Sequence, residues 1–311
     1  MKSRKVSILI PAYNRQRYIA ECIQSALDQT FTNIEIVVVD NASTDSTWDI
    51  CQEYAARDSR IRVFRNYNNI GPVRNWLRCA QEAKGEYSKI LFSDDILEPD
   101  CIERMVESLN NEEIGFVFCA AKIGESKEQS KIAYSNVKDQ TIDSSQYINL
   151  IMKSKAPVSP GAVLLRTTDL LKNLHTDFPT SMRRSYDSNG AGPDVMIMLL
   201  TADQYPKIRW ISIPFVFFRA HQESFSIENK DSKITDGYTS AISWYLINNK
   251  KKLNWLKYLA YVWVTSIRNR KPLNPMRLLN DNEGEGRMVD LFCLLAIIPV
   301  VALNKAFSKL I

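Results

Sequence analysis

Short, mostly apolar runs alternate along the first part of the chain with longer segments whose apolar side chains recur every three or four positions. Val6–Ile10 is the first such run, and the segment Tyr18–Gln29 that follows it has helical spacing. The same alternation predicts further strands at Ile34–Val39, Ile61–Phe64 and Tyr87–Phe92 and further helices at Thr47–Arg57, Val73–Ala83 and Cys101–Leu109. Continuous apolar strands separated by helices are typical of a parallel sheet covered on both faces, so the pattern predicts an α/β fold.

The alternation becomes less regular in the middle of the chain. Apolar runs predict strands at Gly115–Ala121, Val163–Arg166 and Ile211–Arg219, and Gly190–Ala202 predicts a loop that leads into a helix. The intervening segment Lys122–Asp143 is polar, and we expect it to be rich in loops.

The C-terminal region differs because it combines apolar and basic residues at helical spacing. In Trp255–Ile267 the apolar positions are Trp255, Leu256, Leu259, Val262, Trp263 and Ile267, and the basic residues beside them are Lys251, Lys252, Lys257, Arg268 and Arg270. This composition favours an interfacial helix on an anionic membrane surface, and a helical appendage packed on the core is the alternative. The later apolar run Leu291–Leu303 contains Pro299 and is too short to predict a bilayer span.

Length and charge limit the architecture and the partners. A chain of 311 residues with 45% hydrophobic residues is long enough for one large core, or for a core domain with a smaller appendage. The formal net charge of +5 is too small to predict nucleic acid as a partner. The basic surplus lies in the tail, since residues 250–311 contain eleven Lys and Arg against four Asp and Glu.

The cysteines and the N-terminus bear on the cellular compartment. The six cysteines include no Cys-x-x-Cys pair, which disfavours zinc sites and disulfide scaffolds. The apolar run before Pro11 has only five residues and lacks a small-residue cleavage site, so we interpret it as a strand and not as a secretion signal. We therefore expect a cytoplasmic protein.

Polar residues stand where three of the predicted strands end. The first strand runs into Pro11-Ala12-Tyr13-Asn14, the second ends at Asp40, and the fourth runs into Ser93-Asp94-Asp95. In open parallel sheets, ligands bind outside the carboxyl ends of the strands. These residues are therefore candidates for one site.

Two of these strand endings carry charge that needs a partner. Asp40 ends an apolar strand, so its burial requires a hydrogen-bond donor, either a ligand group such as a base N–H or the start of a helix. Asp94 and Asp95 repel one another unless a cation or a ligand neutralises them. Mg²⁺ or Mn²⁺ suits such oxygen ligands and would hold a departing diphosphate, whereas a simple Asp-rich turn is the alternative.

Taken in order, these motifs resemble the family 2 glycosyltransferases of the GT-A fold. The resemblance runs through VSILIPAYNRQRYIAECIQSALDQTFTNIEIVVVDNASTD, then NNIGPVRNWLRCAQEAKGEY, and then KILFSDDILEPD. Phe92 departs from it, because many members have a further Asp at that position. A looser resemblance lies in Gly192-Pro193-Asp194 and in Phe218-Arg219-Ala220-His221.

The resemblance implies a role for each of these residues. Those expected to contact the nucleotide are Pro11, Ala12, Tyr13, Asn14, Asp40, Asn69, Gly71, Arg74, Ser93 and Asp94. Asp95 is expected to bind the metal directly and His221 to approach the metal or the diphosphate, with a surface histidine as the alternative. Asp194 is expected to be the base that deprotonates the acceptor hydroxyl, with an N-cap of the following helix as the alternative.

The resemblance also implies an architecture. We expect a three-layer α/β/α sandwich with a mostly parallel sheet, followed by a C-terminal helical appendage. The catalytic domain is expected to span residues 1–225, with a nucleotide-binding half over about residues 1–110 and an acceptor half over about residues 111–225. Residues 226–311 are expected to form the basic, helical region.

The implied function is inverting transfer of a sugar from a nucleoside diphosphate sugar, with a UDP-sugar favoured. The expected acceptor is a glycan or polyprenyl-linked oligosaccharide in bacterial surface polysaccharide synthesis, of the O-antigen, lipopolysaccharide or capsule type. Catalysis would take place at the inner face of the cytoplasmic membrane, and basic tails packed between subunits would give an oligomer. The alternatives are a non-catalytic sugar-nucleotide or glycan-binding protein and a nucleotidyltransferase, although the N-terminal loop lacks the Gly-rich, basic phosphate grip of the latter.

Overall fold

A computed structural model describes residues 4–136, 138–176, 190–221, 232–249, 252–268 and 297–298. These residues fall into two compact units, the first extending to residue 234 and the second beginning at residue 235. The expected domain boundary between residues 225 and 226 lies outside the described residues. The division into a catalytic domain and a C-terminal region therefore stays a prediction.

The first unit is an α/β structure. Its described strands are β1 Val6–Ala12, β2 Ile34–Asp40, β3 Ile61–Arg65, β4 Tyr87–Ile90, β5 Ile96–Leu97, β6 Ile114–Gly124, β7 Ser130–Ala133, β8 Gln140–Asp143, β9 Val163–Arg166 and β10 Lys207–Arg219. Its described helices are α1 Ile19–Leu27, α2 Thr47–Arg57, α3 Pro72–Glu82, α4 Cys101–Ser108, α5 Ser144–Met152, α6 Thr167–Asn173 and α7 Pro193–Ala202, and a short 3-10 turn spans Pro160–Ala162. The strands and helices predicted before β6 are confirmed, with small shifts at their ends.

The strands form one sheet whose central order is β3-β2-β1-β4-β9-β6-β10-β5. Parallel pairing joins β3, β2, β1 and β4, and also β6 and β10, whereas β9 runs antiparallel between β4 and β6. The chain passes from β3 on one side of β1 to β4 on the other, so the strand order reverses beside β1. The carboxyl ends of β1, β2 and β4 therefore meet at the kind of switch point where open α/β sheets bind ligands.

The prediction that residues 122–143 are rich in loops holds for only about half of the segment, because the other half lies in strands. β6 continues to Gly124, β7 pairs with it in antiparallel fashion, and β8 pairs with β10. A Cβ at Gly124 would lie 2.6 Å from the Gln129 carbonyl oxygen, so the tight connection to β7 requires glycine. No position of β7 is fully buried, and a peripheral strand of this kind lacks the apolar pattern that predicts strands.

Burial of the central strands explains their continuous apolar sequences. Every position of β1 and β2 is buried, including Ser7 and Glu35. The Glu35 carboxylate accepts a hydrogen bond from Ser7 Oγ at 2.6 Å and pairs with Arg62 at 3.2 Å and Lys5 at 3.4 Å. The five described cysteines are free and buried, as expected of small core residues.

Two helices account for most of the described second unit, α8 Ser232–Asn248 and α9 Lys252–Arg268. The apolar stripe predicted to face a membrane lies on α9. Trp255 and Leu259 in its first half are 1% and 0% exposed, whereas Ile267 near its end is 47% exposed. The first half of the stripe is therefore packed inside the protein and unavailable to lipid.

Membrane crossing can be judged only for the described helices, and none of them is long and apolar enough to span a bilayer. The apolar run Leu291–Leu303 lies outside the described residues except for Ile297 and Ile298. Contact with a membrane surface stays a prediction for the exposed end of α9 and its basic residues.

Candidate functional site

The polar strand endings predicted from the sequence lie at one edge of the sheet. Asp40 ends β2, the loop of residues 11–14 ends β1, and Asp94 and Asp95 follow β4. His221, which follows β10, contacts Asp94 although the two residues are 127 positions apart in the chain. The topology therefore assembles a polar site from distant segments.

Asp40 is fully buried at the end of β2, and its two carboxylate oxygens differ in their hydrogen-bond partners. Oδ2 accepts a hydrogen bond from the Ser43 backbone N–H at 3.1 Å and pairs with Arg65 Nε at 3.1 Å. Oδ1 is buried without a hydrogen-bond partner among the described residues. Since Ser46 is the N-cap of α2, Asp40 does not cap that helix. A buried acceptor without a donor costs about 1–3 kcal/mol, which a ligand N–H would recover.

The loop after β1 lies next to Asp40. Pro11 and Ala12 are buried within β1. The Ala12 carbonyl oxygen accepts a hydrogen bond from the Asn41 backbone N–H at 2.8 Å. Asn14 has a positive φ of 49°, a left-handed conformation that asparagine tolerates better than most residues. Tyr13 is 40% exposed, so its ring is available to a ligand at this edge.

A network of asparagine side chains joins the end of β2 to the start of α3. Asn41 Nδ2 donates to Asn69 Oδ1 at 2.8 Å, and Asn66 Nδ2 donates to Asn41 Oδ1 and to Asn75 Oδ1, both at 2.9 Å. Asn69 Oδ1 also accepts from the backbone N–H of Gly71, the N-cap of α3, at 2.9 Å. The network therefore sets the predicted nucleotide contacts Asn69 and Gly71 beside the end of β2. The sequence pattern did not reveal its other members.

The remaining predicted nucleotide contacts differ in exposure. Arg74 is exposed in the first turn of α3, whereas Ser93 is 6% exposed between β4 and β5. Phe92, directly before Ser93, packs against Trp76 with ring centroids 5.4 Å apart. A Cβ at Gly161 would lie 3.2 Å from the Phe92 ring. An aromatic packing contact thus occupies the position where the resemblance would place a carboxylate.

Asp94 and Asp95 form the turn after β4 and have different surroundings. Asp94 Oδ2 lies 3.0 Å from His221 Nε2 and 3.5 Å from Arg15 Nε. Asp95 is 5% exposed, and its Oδ1 accepts a hydrogen bond from the Arg219 backbone N–H at 3.0 Å. Burial raises the pKa of the Asp95 carboxyl well above its usual range, and the negative charge of Asp94 is the second cause of this rise. Burial and mutual repulsion thus oppose the ionisation of both carboxyl groups at once, and cation binding at this turn stays a prediction.

Arg15 and Arg219 supply positive charge at this turn, and neither was predicted as a site residue. Arg15 follows the loop after β1, and its Nη1 also donates to the Asn14 carbonyl at 3.0 Å. Arg219, the last residue of β10, donates from Nε to the Asp94 carbonyl at 3.1 Å. The signal in the sequence was their position directly beside recognised motifs, which does not reveal what they contact.

The side chains near Asp94 fit a divalent cation that binds together with a phosphate ligand. Within the described part of the chain, no three His, Cys, Asp or Glu side chains are grouped closely enough to hold a metal ion by themselves. Mg²⁺ is commonly bound through one or two carboxylates together with substrate phosphates, so a larger cluster is not required, and metal binding by Asp94 and His221 stays a prediction. Direct binding by Asp95 stays a prediction, since its Oδ1 is engaged by Arg219.

Asp194 lies in the first turn of α7 and is 7% exposed. Its Oδ1 accepts hydrogen bonds from the backbone N–H groups of Gly192 at 2.8 Å and Val195 at 2.7 Å. Gly192 is the N-cap of α7, so Asp194 is not the cap that the sequence offered as the alternative. The two bonds fix its carboxylate in one orientation within the first turn. Burial raises the pKa of the Tyr134 phenol, and the negative charge of Asp194 is the second cause of this rise. Tyr134 therefore stays protonated near the Asp194 carboxylate. The role of Asp194 as a base stays a prediction.

Gly190 connects the start of α7 to the turn after β4. The Asp194 backbone N–H donates to the Gly190 carbonyl at 3.2 Å. A Cβ on Gly190 would lie 1.9 Å from Trp76 Cη2, so only glycine allows this approach. Because Trp76 also packs on Phe92, continuous contacts lead from Asp194 to the segment that carries Asp94 and Asp95.

Comparison with known sequences identifies the family. The profile of Glycosyl transferase family 2 matches residues 7–174. Glycosyltransferase GlyG of Streptococcus pneumoniae is 36% identical over 115 residues, which are 37% of this chain and 38% of that protein. The putative teichuronic acid biosynthesis glycosyltransferase TuaG of Bacillus subtilis is 35% identical over 113 residues, which are 36% of this chain and 45% of that protein. The matched segment thus spans less than half the length of either relative.

Comparison with solved structures concerns the fold. The structure of S. aureus TarS 1-349 in complex with UDP-GlcNAc matches with a TM-score of 0.66 at 16% identity, over 98% of this chain and 92% of that chain. This likeness confirms the predicted GT-A fold. The family profile covers more than half of the 311 residues. The chain therefore belongs to glycosyl transferase family 2.

Proposed function

We propose that this protein is an inverting glycosyltransferase that moves a sugar from a nucleoside diphosphate sugar to a hydroxyl group of a glycan or lipid-linked oligosaccharide. Its family makes it a transferase of sugars, and the donor, the stereochemistry and the acceptor are the proposed parts. One observation carries the proposal. A buried carboxylate oxygen without a donor and a carboxylate–imidazole pair lie at the same edge of the sheet.

Asp40 and Tyr13 would bind the nucleobase. The buried Oδ1 of Asp40 requires a donor, and the ring N–H of uracil is such a group. The exposed Tyr13 ring offers an aromatic face for stacking on the base. The similarly folded TarS structure is a complex with UDP-GlcNAc, which supports a UDP-sugar as the donor.

Asp94 and His221, with Asp95 beside them, would hold Mg²⁺ or Mn²⁺ at the donor's diphosphate. When bound, such an ion neutralises the negative charge that develops on the leaving diphosphate. Arg15 adds a guanidinium at the same place, since it lies 3.5 Å from Asp94. The leaving group would thus depart into a site that is positively charged overall.

Asp194 would accept the proton of the attacking acceptor hydroxyl. The acceptor oxygen forms a bond to the anomeric carbon while the bond from that carbon to the diphosphate oxygen breaks, and the electron pair leaves with the diphosphate. Attack comes from the face opposite the leaving group, so the configuration inverts. Two backbone hydrogen bonds hold the Asp194 carboxylate for this task.

A panel of nucleotides tests the donor assignment. We expect UDP with Mn²⁺ to raise the unfolding temperature by about 5 °C at roughly a hundredfold excess over its dissociation constant, because it binds only the folded state. CDP and ADP should give smaller shifts, since neither has a ring N–H for Asp40. The absence of a shift with every nucleoside diphosphate would contradict the proposal. Stabilisation by UDP without turnover of any UDP-sugar would favour the non-catalytic alternative.

The acceptor setting is proposed from a relative and from the C-terminal region. TuaG is named for teichuronic acid biosynthesis, and we extend a role in polysaccharide synthesis to this chain. Residues 1–225 would form the catalytic domain. Residues 226–311, where the basic surplus lies, would dock on the anionic inner face of the cytoplasmic membrane.

Vesicle flotation tests the membrane contact. The full chain should float with vesicles that contain anionic lipid. Lys257→Glu should weaken binding by roughly 30-fold, because each basic residue near such a surface contributes about 1 kcal/mol and reversal of the charge doubles this to about 2 kcal/mol. Lys257 is exposed on α9. Lys131→Glu is the matched control, since Lys131 is an exposed lysine of β7 in the first unit. Equal flotation of the two variants would reject docking through α9.

A further inference from the structure

Arg219, the last residue of β10, contacts both aspartates of the turn after β4. Its backbone N–H donates to Asp95 Oδ1 at 3.0 Å, and its side-chain Nε donates to the Asp94 carbonyl at 3.1 Å. One residue therefore holds the carboxylate of one aspartate and the main chain of the other. The turn and the end of β10 are 125 positions apart in the chain, so this contact is set by the sheet topology.

The Arg219 guanidinium is itself held by the segment that begins α1. Nη2 donates to Glu21 Oε2 at 2.5 Å, and the guanidinium lies over the Tyr18 ring at 5.2 Å and the Phe217 ring at 5.5 Å. Its side chain is only 16% exposed. A planar guanidinium can bond in two directions while it stacks on rings, and a lysine ammonium cannot reproduce this geometry.

We propose that Arg219 is a positioning residue that fixes the Asp94–Asp95 turn for sugar transfer, with Glu21 holding Arg219 in place. The inference rests on the proposed function, because it assigns Arg219 a role in that reaction through Asp94. Asp94 carries the contact to His221, so a shift of the Asp94 main chain moves the carboxylate–imidazole pair. Displacement by about 1 Å at a reacting centre can lower a rate by about 100-fold.

The two partners are expected to contribute unequally. Loss of the guanidinium removes the bond to Asp94 and both ring contacts, so Arg219→Lys should lower kcat by about 10- to 100-fold. Glu21 is 58% exposed, and an ion pair in that setting contributes little, so Glu21→Gln should lower kcat by about threefold. Because Glu21 acts through Arg219, the double variant should be no slower than Arg219→Lys alone.

The experiment compares these three variants with the wild-type chain, using the UDP-sugar that the wild-type protein turns over fastest with Mn²⁺. The readouts are kcat, KM, the affinity for UDP without metal, and the unfolding temperature. Lys207→Met is the control for loss of a basic residue, since that lysine lies in an exposed pair away from the turn. We expect kcat to fall while UDP affinity without metal and the unfolding temperature stay near the wild-type values.

Three outcomes separate the hypotheses. Loss of kcat in Arg219→Lys, with no further loss in the double variant, supports the positioning role. The positioning role is overturned if Arg219→Lys keeps the wild-type kcat, or if kcat falls only in step with the unfolding temperature. It is also overturned if the loss of kcat in the double variant equals the product of the losses in the two single variants. A wild-type chain that neither binds UDP nor turns over any UDP-sugar instead overturns the proposed function.

Discussion

Replacement of Asp94 by asparagine is expected to lower kcat for sugar transfer by about 100- to 1000-fold, because it removes a carboxylate proposed to hold the divalent cation that would neutralise the leaving diphosphate. Asparagine keeps the shape of the side chain but loses the negative charge that faces His221 at 3.0 Å and Arg15 at 3.5 Å. The unfolding temperature should change little. Steady-state kinetics with Mn²⁺ and the preferred UDP-sugar measure the effect.

Nucleotide binding shows where the Asp94 effect arises. UDP affinity should fall in the presence of Mn²⁺ and stay unchanged in its absence, since Asp40 and Tyr13 are untouched. Asp49→Asn is the matched control, because Asp49 is an exposed aspartate in the first turn of α2. Equal kcat values for Asp94→Asn, Asp49→Asn and the wild type would remove Asp94 from the site.

The nucleotide-binding half could be predicted from the sequence because its strands are buried on both faces. Every residue of β1 and β2 is buried, so each strand appears as a mostly apolar run, with Ser7 in β1 and with Glu35 and the final Asp40 in β2 as the polar exceptions. Parallel strands also end at a common edge, which allowed residues such as Asp40 and Asp94 to be placed together before the structure was known. Topology and residue type were sufficient for this part.

The peripheral strands could not be predicted in the same way. β7 and β8 have mixed burial, and their sequences, Ser130–Ala133 and Gln140–Asp143, show neither an apolar run nor clear alternation. Their pairing is decided by the backbone of β6 and β10, which offers unsatisfied N–H and C=O groups at that side of the sheet. Local sequence pattern carries little information about such pairing.

The sequence predicted the carboxylates of the site but did not predict the side chains that hold the surrounding loops in place. The contacts of Arg219 with Glu21 join residues 198 positions apart, and the asparagine network joins Asn41 to Asn75 through Asn66. Side chains of this kind have no periodic signal, and their partners depend on which loops the sheet brings together. The resemblance identified His221, but the structure was needed to show that its partner is Asp94.

Replacement of Asp194 by asparagine is expected to lower kcat by about 1000-fold, because general base catalysis contributes typically 10²- to 10⁴-fold and an amide cannot accept the proton. The asparagine oxygen can still accept the hydrogen bonds that Asp194 Oδ1 receives from Gly192 and Val195, so α7 should begin at the same place. Affinity for UDP should therefore stay unchanged while transfer to an acceptor is lost. Asp203→Asn, an exposed aspartate at the other end of α7, controls for the loss of one negative charge on this helix. Because substrate binding and helix stability are both preserved in this design, wild-type kcat in Asp194→Asn would place the base elsewhere in the acceptor half.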